Sequence, residues 1–277
     1  MKNDKKNQAI WQQLEEGVEN IFTGEKWHGG PHELLGVEKT FDNFISEIGG
    51  KKISILLSKN PNFPNADYIF ESEKIILELK EIQTEFYSTP TFYKEYDKLN
   101  KKLYDAYPNF KPYLLGGKEN YPDWYITSYY KIARTPIGRI LKKANSQIKE
   151  TKNHFNIRCN SGVLLLVNDG FTNIPPYVFM GLVSDLLVNS YSEIDCFVYI
   201  TVNSYVILNN TDKTPSLLWV PMYSPTCENT LQEFINNLGG RWREYLDKFI
   251  RFTNTPKTEA SILEVLGNAT YLYKGSS

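Results

Sequence analysis

The sequence predicts an α/β (α+β) protein in which helices flank a mixed central β-sheet. Three observations predict it. The apolar run Gly162–Val167 stops at Asn168-Asp169-Gly170, as a strand buried on both faces would. Three shorter strand patterns cluster between residues 52 and 80. Helical apolar spacing stands on both sides of that cluster. The order helix, three strands, helix, strand calls for a mixed sheet with helices on its faces. The 277 residues are 41% hydrophobic and 23% charged, enough apolar surface for a sizeable core.

Each element follows from local chemistry. A first helix is expected over Gln8–Phe22, where Trp11, Leu14, Val18 and Ile21 recur at helical spacing. Thr23–Pro31 holds three glycines and a proline and reads as a loop. The next helix starts at Pro31 or Val37 and ends at Ile48. Its apolar face is Phe41, Phe44, Ile45 and Ile48, and Gly49–Gly50 stops it. Strands are expected at Lys52–Ser58, Asp67–Glu71 and Lys74–Lys80, with Ser72–Glu73 as a hairpin turn between the last two. Thr84–Tyr130, rich in Tyr, Pro, Lys and Gly, is too long for a simple loop and should carry its own helices, Phe92–Tyr107 among them. A basic helix is expected over Pro136–Phe155, proline suiting its first turn. Ile137, Ile140, Leu141, Ala144, Ile148 and Thr151 form its core stripe. Strands at Cys196–Val202 and Tyr205–Leu208 and a helix at Thr230–Phe252 follow.

Composition excludes several functions. With 31 basic and 32 acidic residues the net charge is −1, so any affinity for a polyanion must come from a local patch. Cys159, Cys196 and Cys227 are odd in number, widely spaced and free of a CxxC pair, which excludes a disulfide scaffold and suits a reducing compartment. The polar start MKNDKKNQ leads into no apolar signal region. The longest apolar stretch, Gly162–Val183, is broken by Asn168, Asp169 and Pro175–Pro176. A cytoplasmic chain without a membrane partner is the expectation.

The informative segment is Asn65-Ala66-Asp67 followed by Glu78-Leu79-Lys80. Alternate strand residues share a face, so Glu78 and Lys80 point one way and Leu79 the other. Counting outward from Ser72–Glu73 sets Asp67 opposite Glu78. Two carboxylates among apolar neighbours repel unless a cation neutralises them. A hard divalent ion does so, and Mg²⁺ keeps one or two protein carboxylates plus waters and phosphate oxygens. Lys80 beside it would orient the attacking water. A second feature is Lys131–Lys152, with seven basic residues against Glu150 alone. Arg139, Lys142 and Lys143 flank the core stripe as candidate phosphate contacts. Gln147 either reaches the site or closes the core edge. The aromatics of Tyr87–Tyr130, interleaved with Lys94, Lys98, Lys101 and Lys102, either stack on bases or form the core of the insertion.

Asp67 and Glu78-Leu79-Lys80 resemble the motif of the PD-(D/E)xK nuclease superfamily, the fold of many restriction endonucleases. Ala66 stands where the family usually has proline, with Pro64 two residues earlier. The resemblance implies a restriction-endonuclease-like core over about 37–170 within a single domain 1–277, an insertion at 84–130 and an extension at 203–277. It implies a Mg²⁺-dependent DNA endonuclease, in which Mn²⁺ can substitute, with restriction or phage defence as the family's setting. Asp67, Glu78, the Leu79 carbonyl and Glu38 would hold the metal. Glu38, Phe41, Ile45 and Ile48 are spaced three, four and three, which assigns Glu38 to the core-facing side. Gln83, three after Lys80, matches a polar position near the metal in some members. DNA is the expected partner, RNA remains open, and a homodimer would suit cutting both strands. Two competitors stand beside this reading: a non-catalytic nucleic-acid- or partner-binding protein on the same fold, and a hydrolase centred on His28, His32 and Glu33.

Overall fold

A computed structural model describes residues 25–26, 32–57, 61, 63–112, 120–156, 161–208, 215–250, 266–267 and 269–274. The elements in chain order are β1 (Glu25–Lys26), α1 (Val37–Glu47), β2 (Lys51–Lys52), α2 (Ile53–Leu56), β3 (Tyr68–Phe70), β4 (Ile75–Ile82), α3 (Pro90–Ala106), α4 (Asp123–His154) and β5 (Ser161–Asn168). There follow α5 (Pro176–Ser190), β6 (Cys196–Ile200), β7 (Val206–Ile207), β8 (Pro215–Ser216), β9 (Trp219–Tyr223), α6 (Asn229–Leu246), β10 (Thr270–Tyr271) and β11 (Tyr273–Lys274). The helix expected at Gln8–Phe22 lies outside the described residues.

Six strands form a mixed sheet in the order β2-β3-β4-β5-β6-β9. The β4–β5 and β5–β6 pairs are parallel and the other three antiparallel. β5 lies at the middle, with Gly162 to Asn168 all buried, as its unbroken apolar run requires. Helices cover both faces. Ile137, Leu141, Ala144 and Ile148 of α4, with Phe179 and Val183 of α5, pack on Ile76, Leu164 and Leu166. On the other face α1 and α6 pack on Leu77, Val163, Leu165 and Val198. Phe41 stacks on Trp242 of α6 at 4.4 Å between ring centroids, and Phe44 meets the same indole edge-on at 5.0 Å. Among the described residues no helix is long and apolar enough to cross a membrane.

The structure departs from the expected elements at four places. Lys52–Ser58 is not one strand. Only Lys51 and Lys52 pair with β3, and Ile53–Leu56 makes one helical turn. The partner runs out: Ile53 N–H reaches the Asp67 carbonyl at 2.8 Å, but Ala66 N–H is already bonded to Thr151. α4 begins at Asp123 and runs through Pro136, thirteen residues before the expected start. Proline removes one helical hydrogen bond, and packing of the upstream turns against α3 holds the helix together across that gap. α5 starts inside the long apolar stretch 162–183 and runs beyond it to Ser190, with Pro176 in its first turn. β9 carries Pro221, which is compatible only with an edge strand, and β9 is the edge.

Gly162 opens β5 against the loop before β6. A Cβ there would lie 2.0 Å from the Glu193 carbonyl oxygen and 2.7 Å from Ile148 Cγ2. Gly162→Ala is therefore expected to lower the melting temperature by about 5 °C or more, a clash with backbone being harder to relieve than one with a side chain. Thermal denaturation followed by circular dichroism checks this.

Candidate functional site

The β3–β4 hairpin pairs Phe70 with Ile75, Ile69 with Ile76 and Tyr68 with Leu77. That register sets Asp67 opposite Glu78. The connection over residues 71–74 needs a left-handed residue, and Lys74 supplies it at φ 58°. Asp67 stands just before β3, where the edge strand has ended. Its carboxylate Oδ2 accepts the Leu79 N–H at 2.8 Å. Glu78 is central in β4 and faces α4, and none of its surface is exposed. Lys80, two residues on, shares that face, and its ammonium donates to Glu78 Oε1. Leu79 packs into the opposite layer.

α4 holds this cluster from above. Lys80 Nζ also donates to Gln147 Oε1 at 2.9 Å, and Gln147 Nε2 donates to the Asn65 carbonyl at 2.8 Å. One turn further on, buried Thr151 Oγ1 accepts the Ala66 N–H at 2.8 Å. Gln147 and Thr151 thus clamp the two residues before Asp67. Ala66 has an N–H that a proline would lack, and Thr151 is its acceptor. The sequence pattern had counted Thr151 as part of an apolar stripe, and only a partner 85 positions away reveals its hydroxyl. Thr151→Val keeps the shape and leaves the buried Ala66 N–H unbonded. The expected cost is about 1–3 kcal/mol, read from urea denaturation.

Electrostatics leave the two carboxylates short of positive charge. Glu78 Oε2 is buried and meets no N–H or hydroxyl donor among the described residues; its neighbour is the Asp67 carboxyl group, with which it hydrogen-bonds when one of the two is protonated. Burial, and then the Asp67 charge, push the Glu78 pKa up to about 8 against the pull of Lys80. Burial also raises Asp67, opposed chiefly by the Leu79 N–H and by Lys80. One ammonium therefore serves two neighbouring acids, and below about 8 they share a proton that a cation would have to displace.

Other expected site residues lie elsewhere. Glu38 is not on the core-facing side of α1. The buried stripe is Val37, Thr40, Phe41, Phe44 and Ile45, and the Glu38 side chain, 78% exposed, lies beyond its edge. Lys52 holds it at 3.1 Å and holds Asp42 at 2.7 Å, while Tyr68 donates its hydroxyl to Asp42. Glu38 is still near enough to add to the repulsion at Asp67. Gln83 is not at the carboxylates. Strand parity puts 78, 80 and 82 on one face and 83 on the other, where exposed Gln83 donates to Glu81 Oε1 at 2.9 Å. Glu38 and Gln83 line a cleft of about 600 Å³ on the α1 side, with Asp42, Glu81, Asp169 and Asn203.

Arg139, Lys142 and Lys143 are exposed on α4, and among the described residues none forms an ion pair. Lys143 stands one turn before Gln147 on the same stripe. Arg139 lies about 80° round from it, and Lys142 about 140° round, facing away from the carboxylates. Arg134 and Lys152 are engaged internally, with Asp185 and Glu193. The alternative His28–His32–Glu33 centre does not assemble from what is described. His28 lies outside the described residues, buried His32 bonds through Nδ1 to the Tyr205 hydroxyl at 2.6 Å, and Glu33 is exposed. Among the described residues no three His, Cys, Asp or Glu side chains gather as a metal-binding group, so Asp67 and Glu78 stand as a pair. Models of protein families, curated proteins and solved structures were each compared with this chain, and none matches.

Proposed function

We propose that this chain is a divalent-metal-dependent phosphodiester hydrolase acting on DNA. The observation that carries the reading is Glu78: a fully buried carboxyl group set against the half-buried acid Asp67, with an amine on the same face. Such a pair fits a hard cation. Asp67, Glu78 and the Leu79 carbonyl supply the all-oxygen donor set that Mg²⁺ takes alongside water and phosphate. The resemblance to the PD-(D/E)xK motif adds support. Its implied order is helix, three strands, helix, strand; α1, β3, β4, α4 and β5 follow that order in part, with the first strand reduced to Lys51–Lys52 and α3 standing between β4 and α4.

The ion, when bound, polarises a phosphoryl oxygen and lowers the pKa of a bound water. The chain supplies the rest. Lys80, held between Glu78 and the Gln147 amide, orients the attacking water and places positive charge where the phosphate gains negative charge. Water oxygen bonds to phosphorus and gives up a proton to solvent, while the P–O bond to the leaving strand breaks and its oxygen takes a proton from solvent. Gln147 and Thr151 keep Asp67 in place by fixing Asn65 and Ala66. Lys143 and Arg139, without an ion pair among the described residues and on the site side of α4, bind flanking phosphates irrespective of sequence.

Incubating plasmid, single-stranded DNA and RNA with the chain in Mg²⁺, Mn²⁺ or EDTA tests the reading. Cleavage confined to the metal lanes is expected, and absence of cleavage in all of them overturns it. Metal binding should also depend on pH. Below about 8 Glu78 keeps a proton that the ion must displace, so affinity rises with pH to about 8 and then levels. Calorimetry in buffers of different ionisation heat should show close to one proton released per ion at pH 7.

A further inference from the structure

We propose that the α3–α4 hairpin binds single-stranded nucleic acid, tyrosine rings stacking on unpaired bases and lysines meeting the phosphates. It rests on the hydrolase reading only in taking that strand to be the flank of the substrate.

Charge is concentrated here. The segment 84–154 carries a net +6 in a chain of net −1, all of it on α4: residues 131–154 hold seven lysines and arginines against one acid, and residues 84–130 are balanced at six of each. A polyanion is drawn to α4, against which α3 packs, and the local cations of α3 meet it there. The segment also leaves directly from the end of β4, the strand bearing Glu78 and Lys80, and returns as α4, whose Gln147 bonds Lys80. The stripe of α4 that carries Gln147 and Lys143 continues toward its N-terminus to Tyr129 and Tyr125. Those rings pack with Leu99, Leu103 and Tyr96 of α3. α3 therefore lies on the side of α4 that faces the carboxylates.

The aromatic residues divide into two sets. Tyr96, Tyr121, Trp124, Tyr125 and Tyr129 form the hairpin's core with Leu99, Leu103 and Phe110. Tyr93, Tyr104 and Tyr107 are excluded from it and are 50%, 45% and 45% exposed. On α3, Tyr93, Lys94, Lys101 and Tyr104 fall within an arc of about 100°, over roughly 16 Å of helix. Neither Lys94 nor Lys101 has an acidic partner among the described residues, and Asp97 is the acid within the arc. The hairpin's core is the inner set; of the outer rings Tyr107 touches it at Phe110, 6.4 Å between centroids, and Tyr93 and Tyr104 are not part of it. Two exposed rings spaced along a line with unpaired cations between them match the requirements of one unpaired strand, whose bases offer open faces. In a duplex those faces are already stacked.

Anisotropy of a fluorescein-labelled oligo(dT) 20-mer, at one fixed salt concentration in EDTA so that nothing is cut, tests the proposal with the full chain. The wild type should bind the single strand more tightly than a 20-base-pair duplex. The double variant Tyr93→Ala/Tyr104→Ala should lose about tenfold or more in affinity, while Tyr93→Phe/Tyr104→Phe keeps it. Both residues are exposed, and matching thermal melts confirm that the variants fold. Equal binding by the alanine variant, or preference for the duplex, overturns the proposal. Tyrosine-dependent binding in a chain that never cleaves would overturn the hydrolase reading and leave this one standing. Metal-dependent cleavage with tyrosine-independent binding would do the reverse.

Discussion

Glu78→Gln is expected to abolish metal-dependent cleavage while stabilising the metal-free protein at alkaline pH. The two effects have one cause. Gln keeps the volume, and its carbonyl oxygen can still accept from Lys80, so the packing of β4 against α4 survives. It removes the negative charge that would hold a cation. If the ion contributes several kcal/mol to the transition state, about 4 kcal/mol is roughly a thousandfold in rate. The stability effect runs the other way. In the native wild type Glu78 holds its proton up to about 8, whereas the unfolded chain loses it near 4.5. Between those values the native state binds more protons, so wild-type stability falls as pH rises through that window and is flat beyond it. Glutamine does not titrate, so this contribution to the slope disappears. At pH 9 the variant should melt higher than the wild type, by about 2–4 °C for each kcal/mol of charge penalty removed. Added Mg²⁺ should raise the wild-type melting temperature and leave the variant unchanged. A variant that cuts like the wild type would refute the assignment of Glu78. A variant that is inactive but less stable at pH 9 would show that Lys80 neutralises Glu78 more fully than its burial beside Asp67 implies.

Strand parity made the centre of this site legible. Side chains alternate without drift, so a turn between residues 71 and 74 settled both the partner of Glu78 and the face of Lys80. The same parity rules out Gln83, which sequence spacing alone had placed near the metal. Helix faces are less sharp. A residue about 100° from the centre of a buried stripe can fall either side of its edge, and Glu38 falls outside. Contacts remote in sequence left almost no local signal. Thr151 looks like an apolar-stripe residue until Ala66 is beside it. Pro136 looks like a helix start until α3 is seen packed on the turns before it. Ile53–Leu56 has the composition of a strand but lacks a partner to pair with.

Asp169 is the residue that sequence most understated, and Asp169→Ala is expected to cost more stability than any other single change outside the hydrophobic core. Asn168-Asp169-Gly170 reads as turn chemistry. In the fold, buried Asp169 accepts the N–H groups of Val202, Asn203 and Ser204 at 2.9–3.0 Å and the Asn203 amide at 3.2 Å. Burial pushes its pKa up, and those four donors pull it back. The Asn203 side chain in turn accepts from Leu35 N–H at 2.9 Å and donates to the Leu35 carbonyl at 3.0 Å. One carboxylate thus ties the end of β5 to the loop after β6, and through Asn203 to the chain entering α1. Alanine would leave several buried donors unbonded at about 1–3 kcal/mol each, so a loss of at least about 4 kcal/mol is expected, with a fall in melting temperature of about 8 °C or more. Asparagine should rescue most of this loss, because its carbonyl oxygen can stand where Oδ1 accepts all three backbone N–H groups, and its NH₂ displaces only the Oδ2 bonds from Asn203. Urea denaturation of the metal-free chain measures this without reference to any activity. A loss below about 1 kcal/mol would mean that water replaces the carboxylate and that the tie to α1 is incidental. A large loss would make Asp169 a determinant of where α1, and with it Glu38, stands relative to Asp67.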